Sequence, residues 1–327
     1  MRPCKNAALT ISTCRNLAMK ALHHETPVWP SIPMEKALGS PVFLKMEALQ
    51  PVGSFKIRGI GLVCQKQFAA GVKHLVCASG GNAGLAVAYS ARQLGVQATI
   101  VVPKTTPEWT REVIAREGAT VEVHGEVWDE TQEFACQIAE DTNGVAIHPF
   151  DDPSVWEGHA TMIAECAEAG LAPDAIVVSV GGGGLLCGVL EGMHQVGWQE
   201  VPVLAVETEG AASFAASAEA GELVLLDRID SLAVTLGARQ VTPELLSWYN
   251  RHEVNPWIVS DRAAVDGCMR FLDDHRVLVE PACGAALSCV YDRATPIQGR
   301  SCVLVIVCGG AGTGLELLKT WDDLAIR

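Results

Sequence analysis

The chain has 327 residues, of which 49% are hydrophobic and 19% charged, and its formal net charge is −14. That composition is long and apolar enough for one large core or two moderate ones, and it excludes a disordered chain. The acidic balance argues against a nucleic-acid phosphate-backbone binder, because nothing in it replaces condensed counterions.

The first 24 residues carry Arg2, Lys5, Arg15 and Lys20, with no acid before Glu25. That has a transit-peptide look. A segment packed on the domain surface is the favoured reading, which makes the protein cytoplasmic rather than mitochondrial. The twelve cysteines are scattered and form no C-x-x-C pair. They read as reduced thiols, not as zinc ligands or a disulfide scaffold.

Short apolar runs then alternate with helical patterns. Residues 42–46, 74–78, 98–102, 120–123, 175–180, 201–207 and 301–308 read as strands. Residues 82–94, 107–117, 126–139, 155–169, 185–196, 261–274 and 281–293 read as helices, and another opens at Lys56. Several strands are continuously apolar, as expected of strands covered on both faces. The alternation predicts parallel α/β layers. The apolar stretch 175–190 is broken by glycines into a strand, a loop and a helix start, so no membrane span is expected. Two α/β lobes with a cleft between them are predicted, with ligands at the carboxyl ends of the strands.

Three segments carry candidate chemistry. In Gly53-Ser54-Phe55-Lys56-Ile57-Arg58-Gly59 the lysine has apolar neighbours, and Arg58 is two positions on. Burial or a nearby cation lowers a lysine pKa towards the neutral, nucleophilic form. Taken alone, such a lysine is more often a solvated surface residue. Next, Ser79-Gly80-Gly81-Asn82-Ala83-Gly84 lies between a strand and a helix start. It is either an anion site suited to a carboxylate or an ordinary βα turn.

Later, Gly181-Gly182-Gly183-Gly184 follows a strand and precedes a helix, which suits a phosphate. It lacks the Gly-Lys-Ser/Thr ending of a nucleotide P-loop. A dinucleotide site is the rival, because Gly181 and Gly183 fit a G-x-G-x-x-G pattern and Glu207 lies 24 residues beyond Gly183. The third position is Leu186, which counts against it. Cys308, at the end of an apolar strand, is core by default.

Together with Pro149-Phe150-Asp151-Asp152-Pro153, Trp156-Glu157-Gly158-His159, Glu280-Pro281-Ala282-Cys283-Gly284 and Val307-Cys308-Gly309-Gly310, these segments resemble one family. It is the pyridoxal-5′-phosphate (PLP) enzymes of fold type II, the tryptophan synthase β-like fold, and within them the liver-type L-serine dehydratase/L-threonine deaminase group. The likeness runs from about residue 26 to 310. It implies a small lobe of residues 50–151, inserted into a large PLP-binding lobe of residues 1–49 and 152–327.

The resemblance also implies roles. Lys56 would hold the cofactor as a Schiff base and move the substrate's α-proton, with Ser79 as a second catalytic candidate. Phe55 would pack on the pyridine ring and Asn82 bond its 3′-oxygen. Ser79, Gly80, Gly81, Asn82 and Ala83 would hold the substrate. Gly181, Gly182, Gly183, Gly184 and Leu185 would bind the cofactor phosphate. Cys308 would face the ring nitrogen and leave it neutral. A monovalent cation, usually potassium, would sit near Glu207, Ala211 and Leu236. A homodimer and an amino-acid substrate are implied, with neither nucleic acid nor membrane as partner.

The implied reaction is loss of the β-hydroxyl from L-serine or L-threonine, giving ammonia and pyruvate or 2-oxobutanoate. Serine racemases of this fold carry a second serine where this chain has Gly80, so little racemase activity is expected. Two departures from the group stand out: Thr235, where relatives often have alanine, and Ala311-Gly312-Thr313-Gly314. No regulatory domain is expected after residue 327, and with it no isoleucine feedback. The alternatives are a same-fold β-replacement enzyme, a weakly active or silent paralogue, and a nicotinamide oxidoreductase, which gives Lys56 no task.

Overall fold

The structure, a computed structural model, describes residues 20–325. In chain order its elements are β1 (Val28–Pro30), α1 (Ile32–Leu38), β2 (Val42–Lys45), α2 (Lys56–Ala69), β3 (His74–Ala78), α3 (Asn82–Leu94), β4 (Gln97–Val102), α4 (Glu108–Arg116), β5 (Thr120–Val123), α5 (Trp128–Asp141), β6 (Val145–Ala146), α6 (Pro153–Glu168), β7 (Ala175–Ser179), α7 (Gly184–Gln195), β8 (Val203–Thr208), α8 (Ser213–Ala220), α9 (Pro243–Tyr249), β9 (Val254–Val259), α10 (Asp261–His275), α11 (Pro281–Tyr291), β10 (Val303–Ile306) and α12 (Leu315–Ala325).

The strands form two sheets. One has six strands in the order β1-β2-β10-β7-β8-β9, and the other four in the order β5-β4-β3-β6. Every pairing is parallel except β1 with β2. Parallel pairing needs helical crossovers, and these cover both faces. Hence β3, β7 and β8 are buried along their whole lengths. Each sheet has its own apolar core. Leu44, Ile176, Leu186, Phe214 and Leu287 belong to the larger, and Ile57, Leu75, Leu85 and Ile100 to the smaller.

Three strands escaped the sequence reading. Two, β1 and β6, are only 3 and 2 residues long, too short to show a period. The third, β9, contains Pro256 and lies at a sheet edge, where a missing N–H is tolerated.

Helix α2 joins the lobes. It crosses α6 where two glycines meet: a Cβ on Gly59 would lie 2.4 Å from the Val155 oxygen, and one on Gly158 2.4 Å from the Arg58 oxygen. Beside this crossing, Arg58 is fully buried. It donates to both Glu47 oxygens (2.7 and 2.8 Å) and both Glu165 oxygens (2.6 and 2.7 Å). Lys45 also pairs with Glu165 and donates to the Thr26 carbonyl at 2.6 Å. Two cations thus face two carboxylates, which compensates the desolvation of each. Residues just before β1 join in, since the Gln65 side chain donates to Lys20 O and that of Gln50 to His24 O. Most of the stretch with the transit-peptide look, residues 1–19, lies outside the described residues.

Candidate active site

The carboxyl ends of β3, β7 and β10 open into three loops, and Lys56 stands among them at the first position of α2. Its place is fixed by β10. Phe55 N–H donates to Cys308 O at 3.1 Å and Gly310 N–H to Gly53 O at 2.9 Å. This contact requires glycine at 309: its φ is +99°, and a Cβ there would lie 2.3 Å from Gly53 O.

The Lys56 amine donates to the Pro149 carbonyl at 2.6 Å. Part of the residue stays exposed, but the amine itself is enclosed. Burial lowers its pKa to about 8, opposed in part by the neighbouring Cys77, Glu280 and Cys308 side chains. Arg58, a candidate for that lowering by its place in the sequence, contributes nothing to it; its guanidinium is committed to Glu47 and Glu165.

The loop after β3 turns tightly: a Cβ on Gly84 would lie 1.9 Å from Ser79 O. Ser79 Oγ accepts from Gly81 N–H at 3.3 Å. Among the described residues, the N–H groups of Gly80, Asn82 and Ala83 meet no protein acceptor. They lie at the N-terminus of α3, where an anion is favoured.

The loop after β7 behaves alike. None of the N–H groups of Gly181, Gly182, Gly183, Gly184 and Leu185 meets an acceptor among the described residues. Phe150 backs this cradle: a Cβ on Gly182 would lie 2.5 Å from its ring, and one on Gly184 2.6 Å from its carbonyl oxygen. Gly183 has φ +94°. Pro149 and Phe150 therefore hold the lysine amine and the anion cradle from adjacent positions.

Further groups converge on the cleft. The Asn82 amide donates to Glu280 Oε1 at 2.9 Å and accepts from Ala311 N–H at 3.0 Å. Thr235 Oγ1 donates to the same Glu280 oxygen at 2.7 Å. Cys308 is buried, and its contact with Cys283 together with burial holds the thiol pKa well above the usual range. The Phe55 ring lies edge-on to His159, with centroids 4.9 Å apart. Glu280, Pro149 and His159 sit in motifs that were legible, but nothing local distinguished them as site residues.

Glu207 differs from the dinucleotide expectation. It is fully buried at the end of β8, where its two oxygens accept from Phe214 and Ala215 N–H, both at 2.8 Å. It caps α8 rather than facing the glycine loop, so it is not placed to bind a ribose. Burial raises its pKa to about 7. The Leu236 backbone lies behind the cradle, 3.1 Å from where a Gly181 Cβ would be, and Ala211 N–H donates to Thr208 O at 3.0 Å.

No group of three or more His, Cys, Asp or Glu side chains suited to a metal occurs among the described residues. No described helix is long and apolar enough to cross a membrane.

A glycine cradle with free N–H groups for a phosphate, an enclosed amine and a buried neutral thiol together fit pyridoxal phosphate. The sequence profile of the family described as "Pyridoxal-phosphate dependent enzyme" matches residues 19–309. The L-serine dehydratase/L-threonine deaminase of Mus musculus is 48% identical over 312 residues, covering 92% of this chain and 95% of that protein. The protein of the same name from Homo sapiens is 49% identical over 315 residues, covering 92% and 95%. The crystal structure of an L-serine ammonia-lyase from the fungus Rhizomucor miehei superposes with a TM-score of 0.88 at 38% identity, covering 93% of this chain and 99% of that one.

Proposed function

The chain belongs to the pyridoxal-phosphate-dependent enzyme family, and from that premise we propose that it is an ammonia-lyase acting on L-serine and L-threonine. It releases pyruvate or 2-oxobutanoate together with ammonia. The observation that carries this reading is the enclosed Lys56 amine, held by Pro149 O between two loops of free N–H groups.

Pyridoxal phosphate, when bound, supplies the electron sink that makes the substrate α-proton acidic. The residues do the rest. Gly181 to Leu185 would hold its phosphate and Lys56 its carbonyl carbon. The N–H groups of Gly80, Asn82 and Ala83 would fix the substrate carboxylate, orienting the α-hydrogen towards the lysine. With its pKa lowered to about 8, Lys56 Nζ is neutral often enough near neutrality to accept that proton. Cys308, held as a neutral thiol, donates no full proton to the ring nitrogen. That would restrain charge delocalisation and favour prompt loss of the β-hydroxyl. Gly80 carries no side chain able to return a proton from the opposite face, so racemisation is minor.

A monovalent cation belongs to the same reading. Glu207 is a buried carboxylate on which no cationic side chain acts among the described residues. Potassium held by Glu207 and by backbone oxygens near Ala211 and Leu236 would compensate it. The family resemblance adds a homodimer and a cytoplasmic location to the proposal; the ten described cysteines form no disulfide with one another.

The test is oxo-acid release from each amino acid by purified protein with potassium and pyridoxal phosphate, beside Lys56→Ala. Cofactor binding without product would sink the ammonia-lyase reading and leave β-replacement or a silent paralogue.

A further inference from the structure

Glu280 is the residue just before α11, in the N-cap position, yet its side chain makes no capping bond to that helix. It turns into the cleft instead. There Oε1 accepts from Asn82 Nδ2 at 2.9 Å and from Thr235 Oγ1 at 2.7 Å. The backbone opposite is shaped around it. Gly310 has φ +142°, and a Cβ there would lie 2.4 Å from Glu280 Cγ. Asn82 is held from its other side by Ala311 N–H, which donates to Oδ1 at 3.0 Å. An amide has two faces, and these partners choose between them. A backbone donor needs the oxygen and a carboxylate needs the NH2, so only one flip satisfies both.

Thr235 bridges the two anion loops. Its methyl lies 4.0 Å from where a Gly81 Cβ would sit, and its carbonyl oxygen 3.3 Å from where a Gly181 Cβ would sit. Its hydroxyl supplies Glu280 with a second donor, so the carboxylate does not rest on Asn82 alone.

We propose that Glu280 is a positioning residue that, with Thr235 as its anchor, holds the Asn82 NH2 group towards the reacting cleft. This rests on the reading of the cleft as a pyridoxal-phosphate site. Asn82 then presents a donor, never an acceptor, to the oxygen-bearing edge of the bound ring. Asn82 also begins α3, so the same bond ties the small-lobe loop to α11 of the large lobe. Burial raises the Glu280 pKa to about 7. Its role as an acceptor does not need the charge, however, since a neutral carbonyl oxygen accepts both bonds.

The experiment compares wild type with Glu280→Gln, Glu280→Ala, Thr235→Val, Asn82→Ala and the Glu280→Ala/Asn82→Ala double variant. The readouts are the visible spectrum of bound pyridoxal phosphate and its dissociation constant. Thermal melting of the cofactor-free proteins reports folding. Glu280→Ala should shift the spectrum in the direction of Asn82→Ala and weaken cofactor binding by up to roughly tenfold, the scale of one lost hydrogen bond. The double variant should add nothing to Asn82→Ala, because both changes remove one interaction. Glu280→Gln keeps the acceptor and should restore the wild-type spectrum. Thr235→Val should give a smaller shift of the same sign, and serves if Glu280→Ala does not fold.

A wild-type spectrum in both Glu280→Ala and Thr235→Val overturns the proposal while leaving the site intact. So does Glu280→Gln behaving like Glu280→Ala, since charge rather than orientation would then matter. If wild type itself binds no cofactor, the reading of the cleft falls and the proposal falls with it.

Discussion

The amine of Lys56 and the carbonyl oxygen of Pro149, 93 residues apart in the chain, meet at 2.6 Å. The next residue, Phe150, backs the glycine cradle. One short segment thus sets the distance between the nucleophile and the anion site.

Lys56→Ala should lower oxo-acid formation by at least roughly a thousandfold, the scale of a lost positioned acid–base group. It should also release the cofactor on desalting, seen as loss of visible absorbance. Retention of both properties would remove Lys56 from the mechanism.

Arg58→Met should leave Glu165 with Lys45 as its one remaining cation and the buried Glu47 with no cation bonded to it among the described residues. The expected loss is about 3–5 kcal/mol of stability, read from urea unfolding. A loss below about 1 kcal/mol would place the network in the class of weak surface pairs.

Glu207 makes a signed prediction for pH. Its folded pKa of about 7 lies above the ordinary carboxyl value, so between the two the folded state binds the extra proton. Its contribution to stability therefore declines as pH rises from about 4.5 to about 7. Glu207→Gln should flatten that part of the stability profile. In wild type, potassium should do the same, by stabilising the ionised form. An unchanged slope with the ion would count against a cation at this place.

His159 acts in the opposite sense. It is fully buried, neither ring nitrogen has a partner among the described residues, and burial with Lys56 and Arg58 nearby holds its pKa well below 6.5. The unfolded chain takes up a proton there as pH falls below about 6.5, and the folded one does not. Stability is lost in that direction, and His159→Gln should soften the acid limb measured by urea titration at several pH values.

Gly80→Ser alone should not create a racemase. A Cβ at that position would meet Thr106 Cγ2 at 2.7 Å and Oγ1 at 2.8 Å. Gly80→Ser with Thr106→Ala clears both atoms. D-serine formation, measured by chiral chromatography, should appear in the double variant and stay near background in the single one. Equal racemisation in both would show that Thr106 does not restrict the site.

Much of the site was legible because its logic is local. Strand 74–78 and the helix from Asn82 were bounded as observed, and the glycines of 181–184 marked free N–H groups before a helix. Residue type sets φ, and φ sets where an N–H points, over a few residues. The family resemblance then attached chemistry to those loops.

What the amino-acid order determined by itself was the run of buried strands and amphipathic helices, the two anion loops and the lysine between them. The tertiary structure alone decided that Arg58 turns away from Lys56 into a carboxylate pair. It also decided that Glu207 caps α8, and that Glu280 reaches Asn82 from 198 positions away. The reason is physical: periodicity records which face of an element is buried, but not which distant polar group waits there. A buried acid must find partners, and only the packed fold supplies them.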